Sequence, residues 1–450
     1  MSTSSGGGHR RVPDRGAARD DGRGPSIWDT FSRTPGKVYQ GHTGDVACDH
    51  YHRYADDVAL MAELGLRAYR FSVAWPRIQP DGTGPANPRG LDFYDRLTDA
   101  LLDRGIDPIV TLYHWDLPQS LGDRGGWTNR DTAEHFATYA TAVYARLGDR
   151  IDVWTTLNEP WCSAYLGYGN GLHAPGEQDP AAAFTAVHHL LLGHGLAARA
   201  LRAAGARSVG SPSTRPTCAR PTRRARPTRR RSAWSTACTT GSSSTRCWPA
   251  ATRTTSVSMW PASSSRRSSG TATKLIAAPI DLLGINYYAP SYVAGRPDGA
   301  GNGATGHRGR GALPAAGRAT HRHGLDDRAF RADPFAGADR RRLPRVPLLI
   351  TENGAAFPDK PGADSPDGPA QVIDADRIAY LDGHLRAAHE AISRGVDLRG
   401  YLVWSFLDNF EWSEGYRKRF GIVHVDYLTQ RRTPKASARW YQEVISRNGL

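Results

Sequence analysis

The sequence has little cysteine: Cys48, Cys162, Cys218, Cys238 and Cys247 are all there is in 450 residues. Their number is odd and their spacing fits no metal site, so a reducing cytoplasm is the default location. A run of about 18 apolar residues is also missing, which argues against a transmembrane helix and a membrane partner. Residues 1–23 are rich in Gly, Ser and Arg and lack an apolar core, so no secretory signal is expected. Acidic residues are missing from one long window: residues 208–270 hold 12 Arg and no Lys, Asp or Glu. Residues 294–345 hold 11 Arg against 5 Asp. These windows carry +12 and +6 of a formal total of +14, which leaves the rest of the chain at −4. The basicity is therefore local, and the remainder has the balance of an ordinary, mildly acidic enzyme. With 39% hydrophobic and 23% charged residues, the chain can bury a core.

What is present is a rhythm of short apolar runs and helix-period segments, the pattern of βα units on a parallel sheet. Val58, Met61 and Leu64 share a helical face that Gly65 closes, and residues 68–75 follow as a strand. Asp92 is placed to cap a helix carrying Phe93, Leu97 and Leu101, closed by Gly105. Residues 108–113 form the next strand, then a helix over 131–147 and a strand over 151–157. The pattern resumes at Ile280 to Ile285 and again at residues 347–351. Ile378, Leu381, Leu385, Ala388 and Ile392 fit one helical stripe ended by Gly395, and residues 398–406 make the last strand. At least six strands, with gaps for one or two more, favour a closed (β/α)8 TIM barrel, an α/β fold, over an open sheet.

Unusual polar residues fall where these strands end. Arg70 lies in Tyr69-Arg70-Phe71-Ser72, His114-Trp115 follows residues 110–113, and Asn158-Glu159 follows residues 154–157. Asn286-Tyr287-Tyr288, Glu352-Asn353 and Trp404 lie likewise at or near strand ends. In a barrel all these ends open on the one face where such enzymes place their chemistry. A single strand-end glutamate reads equally well as a loop anchor. Two of them, Glu159 and Glu352, each beside an Asn and ringed by Trp, Tyr and His, match a retaining glycosidase, which needs one carboxyl as acid and base and another as nucleophile. Aromatic faces stack on sugar rings, while Asn, His and Glu bind hydroxyls. His173, His188, His189 and His194 could be read as metal ligands, but no carboxylate or Cys completes a site.

The motifs Thr156-Leu157-Asn158-Glu159-Pro160 and Ile350-Thr351-Glu352-Asn353-Gly354 resemble those of the family 1 glycoside hydrolases, typified by bacterial β-glucosidases. So do Ser26-Ile27-Trp28-Asp29-Thr30-Phe31, Tyr113-His114-Trp115-Asp116-Leu117-Pro118 and Gly284-Ile285-Asn286-Tyr287-Tyr288. Residues 404–412 and 419–426 also match. The resemblance covers about 22–206, 274–293 and 346–450, as one domain. It implies Glu159 as acid/base and Glu352 as nucleophile, with Arg70, Asn286 and Tyr288 in support. It further implies His114, Trp115, Asn158, Trp404, Glu411, Trp412 and Phe420 as substrate-binding residues. The activity implied is hydrolysis of terminal β-D-glucosyl residues, with galactosyl or fucosyl as relatives, from a small oligosaccharide or an aryl or alkyl β-glycoside. No metal or other cofactor is implied, and the oligomeric state is left open. A carboxylate at Glu411, near the sugar's O4 and O6, would repel a 6-phosphate.

One family element is absent. The first strand of the family carries Tyr-Gln-Ile-Glu-Gly, whose glutamine grips the sugar, whereas residues 9–15 here read His-Arg-Arg-Val-Pro-Asp-Arg. An allowed back-translation of that stretch, read one base later, restores the motif, and residues 321–333 behave the same way. The expectation is that about 9–15, 208–270 and 294–345 are misframed, that the 208–270 window lacks its barrel strand, and that the chain as written is an inactive barrel. An Arg-rich nucleic-acid arm around Arg223-Arg224 and Arg229-Arg230-Arg231 is the other alternative.

Overall fold

The computed structural model describes residues 17–214, 218–219, 269–289, 291–292, 346–359, 362 and 371–450. Seven parallel strands run in chain order around one sheet: β1 (Ala68–Ser72), β2 (Asp107–Tyr113), β3 (Val153–Leu157), β4 (Ser208–Thr214), β5 (Leu282–Tyr287), β6 (Leu348–Asn353) and β7 (Leu398–Val403). Helices α1 (His50–Glu63), α2 (Pro88–Leu102), α3 (Asp131–Leu147), α4 (Pro180–Ala203), α5 (Ser269–Ile276), α6 (Ala375–Ser393) and α7 (Ala436–Arg447) alternate with them. This is a (β/α)8 barrel, seven of whose strands lie among the described residues. Inside its lower end, Ile109, Leu282 and Leu349 form an apolar plug with Ala68, Val153 and Leu402. First and last strands thus meet on one cluster, and the sheet is nearly closed. Above that plug the interior turns polar, beginning with the Thr111 and Thr155 hydroxyls at 2.8 Å.

Several sequence expectations shift in detail. The first strand ends at Ser72, and Trp75–Ile78 turns instead as a short helix with proline in its first turn. Helix α2 begins at Pro88 with Asn87 at its N-cap, so Asp92 lies inside the helix and is not its cap. Gly65 and Gly395 stand just past α1 and α6 at φ 71° and 84°, a left-handed conformation that spares a Cβ clash there. Ile392, placed on the buried stripe of α6, is 49% exposed.

The largest correction concerns the window of residues 208–270. A barrel strand was expected to be missing there, yet β4 is hydrogen-bonded on both edges, to β3 through Ser208, Val209 and Gly210 and to β5 through residues 210–214. Val209 is fully buried. Ladder formation needs only extended backbone with two partner edges, and both edges are on offer. The argument for an inactive barrel from a lost strand at this position is overturned. The rest of that window, and the calls on 9–15, 294–345 and the arginines at 223–231, lie outside the described residues, apart from the Cys218–Ala219 strand paired with Ser291–Tyr292.

By length and composition α4 could cross a bilayer, against the sequence expectation that no segment would. It is a core helix instead: Leu190, Leu191 and Leu192 are buried, and His194 Nδ1 lies 2.6 Å from the Thr156 hydroxyl of β3. Below the loops that follow β6 and β7 sits a buried ion cluster. Arg377 pairs with Asp359 and Asp374 at 2.9 Å each. Lys435 bonds Asp359 and reaches Asp408 at 2.9 Å, and Asp408 also takes Arg419 at 2.8 Å. Three acids and three bases balance there, which is what a buried set requires.

Candidate active site

The strand ends converge as the barrel topology demands. Arg70, on β1, is the hub: its Nη1 donates to Glu352 Oε1 at 2.7 Å, its Nη2 to Asn158 Oδ1 at 2.7 Å, and its Nε to the Thr111 hydroxyl at 2.9 Å. The Tyr288 hydroxyl donates to Glu352 Oε2 at 2.5 Å. Both oxygens of Glu352 are therefore held, and the residue is 2% exposed. Asn286 Nδ2 donates to Asn158 Oδ1 at 3.1 Å and to Glu159 Oε1 at 3.0 Å, while its own Oδ1 accepts the Thr351 hydroxyl at 2.6 Å. Glu159, 6% exposed, receives the Cys162 thiol on Oε2 at 3.2 Å. One connected network thus joins the two glutamates through Arg70, Asn158 and Asn286.

The network also fixes a tautomer. Asn158 Oδ1 already accepts from Arg70 and Asn286, so its Nδ2 is the donor to His114 Nε2 at 3.0 Å. That leaves Nε2 of His114 unprotonated. Burial, with Arg70 nearby, pushes the imidazole well below its ordinary range and keeps it neutral.

Aromatic rings wall the mouth. His114 lies 5.7 Å from the Trp404 ring and 6.0 Å from Trp412. Trp412 packs 5.0 Å from Trp115 and 4.6 Å from Trp28, and His173 lies 5.3 Å from both Trp28 and Trp115. The Trp115 indole N–H donates to the Asn158 carbonyl at 3.0 Å. Phe420 is buried and sets its edge on the Tyr288 ring at 5.9 Å, so it backs the tyrosine that holds Glu352. Glu159, Trp115 and Trp412 all adopt positive φ, at 43°, 81° and 50°. Non-glycine residues held in that region mark sites where the surroundings enforce the conformation. Gly354 follows the Glu352 strand so closely that a Cβ there would meet the Trp404 carbonyl at 1.7 Å.

Three carboxyls share this cavity. Burial lifts Glu352 to about 7 against the pull of Arg70, and the nearby Glu159 adds to the rise. Glu411 is pushed higher, to about 8, by burial and then by Glu352 and Glu159. At neutral pH a proton therefore rests on Glu411 before Glu352. Burial thus favours a proton on Glu411, which weakens the charge repulsion expected against a phosphosugar.

The sequence did not single out Cys162, Thr111, Trp28 or Tyr380 for the site. The Tyr380 hydroxyl donates to the Tyr288 carbonyl at 2.8 Å and receives Asn353 Nδ2 at 3.0 Å, tying β6 to the residue beyond β5. Cys162 carried one signal, its place three residues after Glu159. Among the described residues no group of three or more His, Cys, Asp and Glu side chains could hold a metal ion. His173 belongs to the aromatic wall, His189 Nδ1 lies 3.0 Å from the Trp127 carbonyl, and His188 rests against His189 at 5.5 Å.

A nearly closed parallel barrel whose mouth gathers buried carboxyls, an arginine and tryptophans is the framework of a barrel hydrolase acting on sugars. Comparison with known proteins makes this specific. The description "Glycosyl hydrolase family 1" matches residues 14–450. A thermostable beta-glucosidase B of Thermobispora bispora is 52% identical over 443 residues, 97% of this chain and 88% of that protein. A bifunctional beta-D-glucosidase/beta-D-fucosidase of Bifidobacterium breve is 43% identical, covering 96% and 94%. The solved beta-glucosidase of Thermotoga maritima in complex with galacto-hydroximolactam superposes with TM-score 0.80 at 38% identity, covering 97% and 95%. The chain belongs to glycosyl hydrolase family 1 and is an enzyme of the β-glucosidase type.

Proposed function

We propose that this chain is a retaining exo-β-glycosidase that removes terminal β-D-glucosyl residues by double displacement, with Glu352 as nucleophile and Glu159 as acid and base. The observation that carries the assignment is the asymmetry of the two carboxyls. Glu352 is paired with the Arg70 guanidinium and the Tyr288 hydroxyl. Among the described residues no cation lies within ion-pair distance of Glu159. A cation and a hydroxyl donor thus hold a carboxylate at Glu352, which suits a nucleophile, while Glu159 meets only an amide and a thiol.

In the first step a Glu352 oxygen attacks the anomeric carbon as the glycosidic C–O bond breaks, and the leaving oxygen takes a proton from Glu159. In the second, Glu159 removes a proton from water, whose oxygen attacks the same carbon and frees Glu352. Two inversions retain configuration. Trp404 serves as the platform beneath the ring, and His114, Asn158, Glu411 and Trp412 bind its hydroxyls. Trp115 holds Asn158 in place. The substrates are small oligosaccharides or aryl and alkyl β-glycosides. The relative named for both glucosidase and fucosidase activity supports tolerance of a 6-deoxy sugar.

Glu159→Ala tests the assignment. Hydrolysis of an alkyl β-glucoside should fall by about 10²- to 10⁴-fold, the usual worth of general acid–base catalysis. Azide should restore turnover of a dinitrophenyl glucoside, because it needs no base. An unchanged rate on the alkyl glucoside would sink the reading.

A further inference from the structure

The two oxygens of Glu159 meet different partners. Oε1 faces the amide N–H of Asn286, whose orientation is locked: its Nδ2 also serves Asn158 and its Oδ1 accepts from Thr351. That amide can only donate to Oε1. Oε2 faces Cys162 Sγ at 3.2 Å. A thiol is a weak donor and a weak acceptor, so it can point its hydrogen at a carboxylate and turn it away from a carboxylic acid. An acid/base residue passes through both states in every cycle. The oxygen best suited to carry the mobile proton is therefore the one whose partner tolerates either state.

The contact is built into the turn that presents Glu159. The backbone N–H of Cys162 donates to the Glu159 carbonyl at 2.9 Å, and Cys162 opens a π-helical segment, Cys162–Gly169. Glu159 itself stands at φ 43°, and the turn that starts on its carbonyl brings the side chain three residues on back beside its carboxyl. Cys162 is 8% exposed, and this burial keeps water from competing strongly for Oε2. π-Helical turns recur at functional sites, and this one begins at Cys162.

We infer that Cys162 is a positioning residue for the acid/base, holding Glu159 Oε2 as a donor when the carboxyl is ionised and as an acceptor when it carries its proton. This rests on Glu159 having the role proposed above. The thiol makes no bond to substrate and stays a thiol throughout. Its contribution falls on the step that protonates the leaving group, so its weight depends on how much protonation the leaving group needs.

The test compares Cys162→Ala, Cys162→Ser and Cys162→Val with the parent enzyme on an alkyl β-glucoside and a 2,4-dinitrophenyl β-glucoside. With alanine or valine, kcat/KM on the alkyl glucoside should fall roughly 3- to 10-fold, the size of one modest hydrogen bond. The dinitrophenyl substrate, which departs without protonation, should change by less than about 2-fold. The alkaline limb of kcat/KM should move up in the alanine and valine variants, because the carboxylate loses a donor. It should move down with serine, a stronger donor. Mere repacking would not move that limb in opposite directions. Equal losses on both substrates, or a limb fixed in all three variants, would overturn the inference. Glu159→Ala serves as control: if it slows both substrates alike, the acid/base assignment itself fails, whatever the cysteine variants do.

Discussion

Arg70 and Glu352 face each other across the barrel mouth from β1 and β6, nitrogen to oxygen at 2.7 Å, with side chains only 6% and 3% exposed. A buried pair of this kind is costly to halve. Removing the cation leaves a carboxylate with little water and one hydroxyl donor.

Arg70→Met should therefore lower kcat/KM by roughly 10²- to 10⁴-fold, the equivalent of about 3–5 kcal/mol for breaking a buried pair. The pH profile should shift with it. As the proposed nucleophile Glu352 must be ionised to attack, so activity should fall as pH drops through about 7, where its carboxyl gains a proton. Without Arg70 that acid limb moves to higher pH. Rates measured from pH 5 to 9 check both effects, and a limb that stays in place would contradict the role given to Arg70.

Glu411 links pH to stability. Its carboxyl is raised from 4.5 to about 8 by burial, so the folded state holds a proton that the unfolded chain has already released. Its contribution is full below the unfolded value and is lost as pH rises through the folded one. Glu411→Gln removes this dependence. The variant should melt above the parent by a margin that widens from pH 5 to 8 and then levels off, although it binds sugar less well. Thermal melts across that range would show it.

Lys435 sits fully buried between Asp359 and Asp408. Lys435→Met should destabilise the fold by about 3–5 kcal/mol, because two carboxylates lose a buried cation at once. Asp408 lies three residues before Glu411, so KM should rise as well. Adding Asp359→Asn should recover part of the lost stability in urea titrations. A double variant no better than the single one would argue that the cluster acts only by packing.

Replacing residues 9–15 with Thr-Ala-Ala-Tyr-Gln-Ile-Glu supplies the glutamine that the family resemblance calls for. If the sugar lacks that partner now, kcat/KM should rise by roughly 10- to 100-fold, or about 1–3 kcal/mol for a restored pair of hydrogen bonds. Rates before and after the exchange on one chromogenic β-glucoside decide it.

The sequence showed the site more fully than it showed the scaffold. Glu159, Glu352, Arg70 and Asn286 sit where apolar runs stop, and in a parallel barrel that alone puts them on one face. β4 was illegible because Ser-Val-Gly-Ser-Pro-Ser-Thr offers one branched apolar side chain and a proline, while its extended form is imposed by the edges of β3 and β5. The start of α2 was misplaced because Asp92 is a good cap by type, whereas Pro88 fits the first turn with no donor to lose. The three-residue spacing of Glu159 and Cys162 was the one sign of their contact, and it is a weak one because it needs a helical turn to start at Glu159. Glu159 also stands at positive φ, of which the sequence carries no direct sign.

The network from Arg70 through Asn158 and Asn286 draws its members from both sides of the stretch between β4 and α5. Arg70, Asn158 and Glu159 precede that stretch, while Asn286, Tyr288 and Glu352 follow it. A chain divided between Thr214 and Ser269 would thus part Glu159 from Glu352 and leave each fragment only some of the bonds that orient them. Neither piece could cleave a glycoside alone, and colour from a chromogenic sugar would appear only on reassembly. The same bonds that tie Glu159 to Glu352 would make the enzyme a reporter of its own halves coming together.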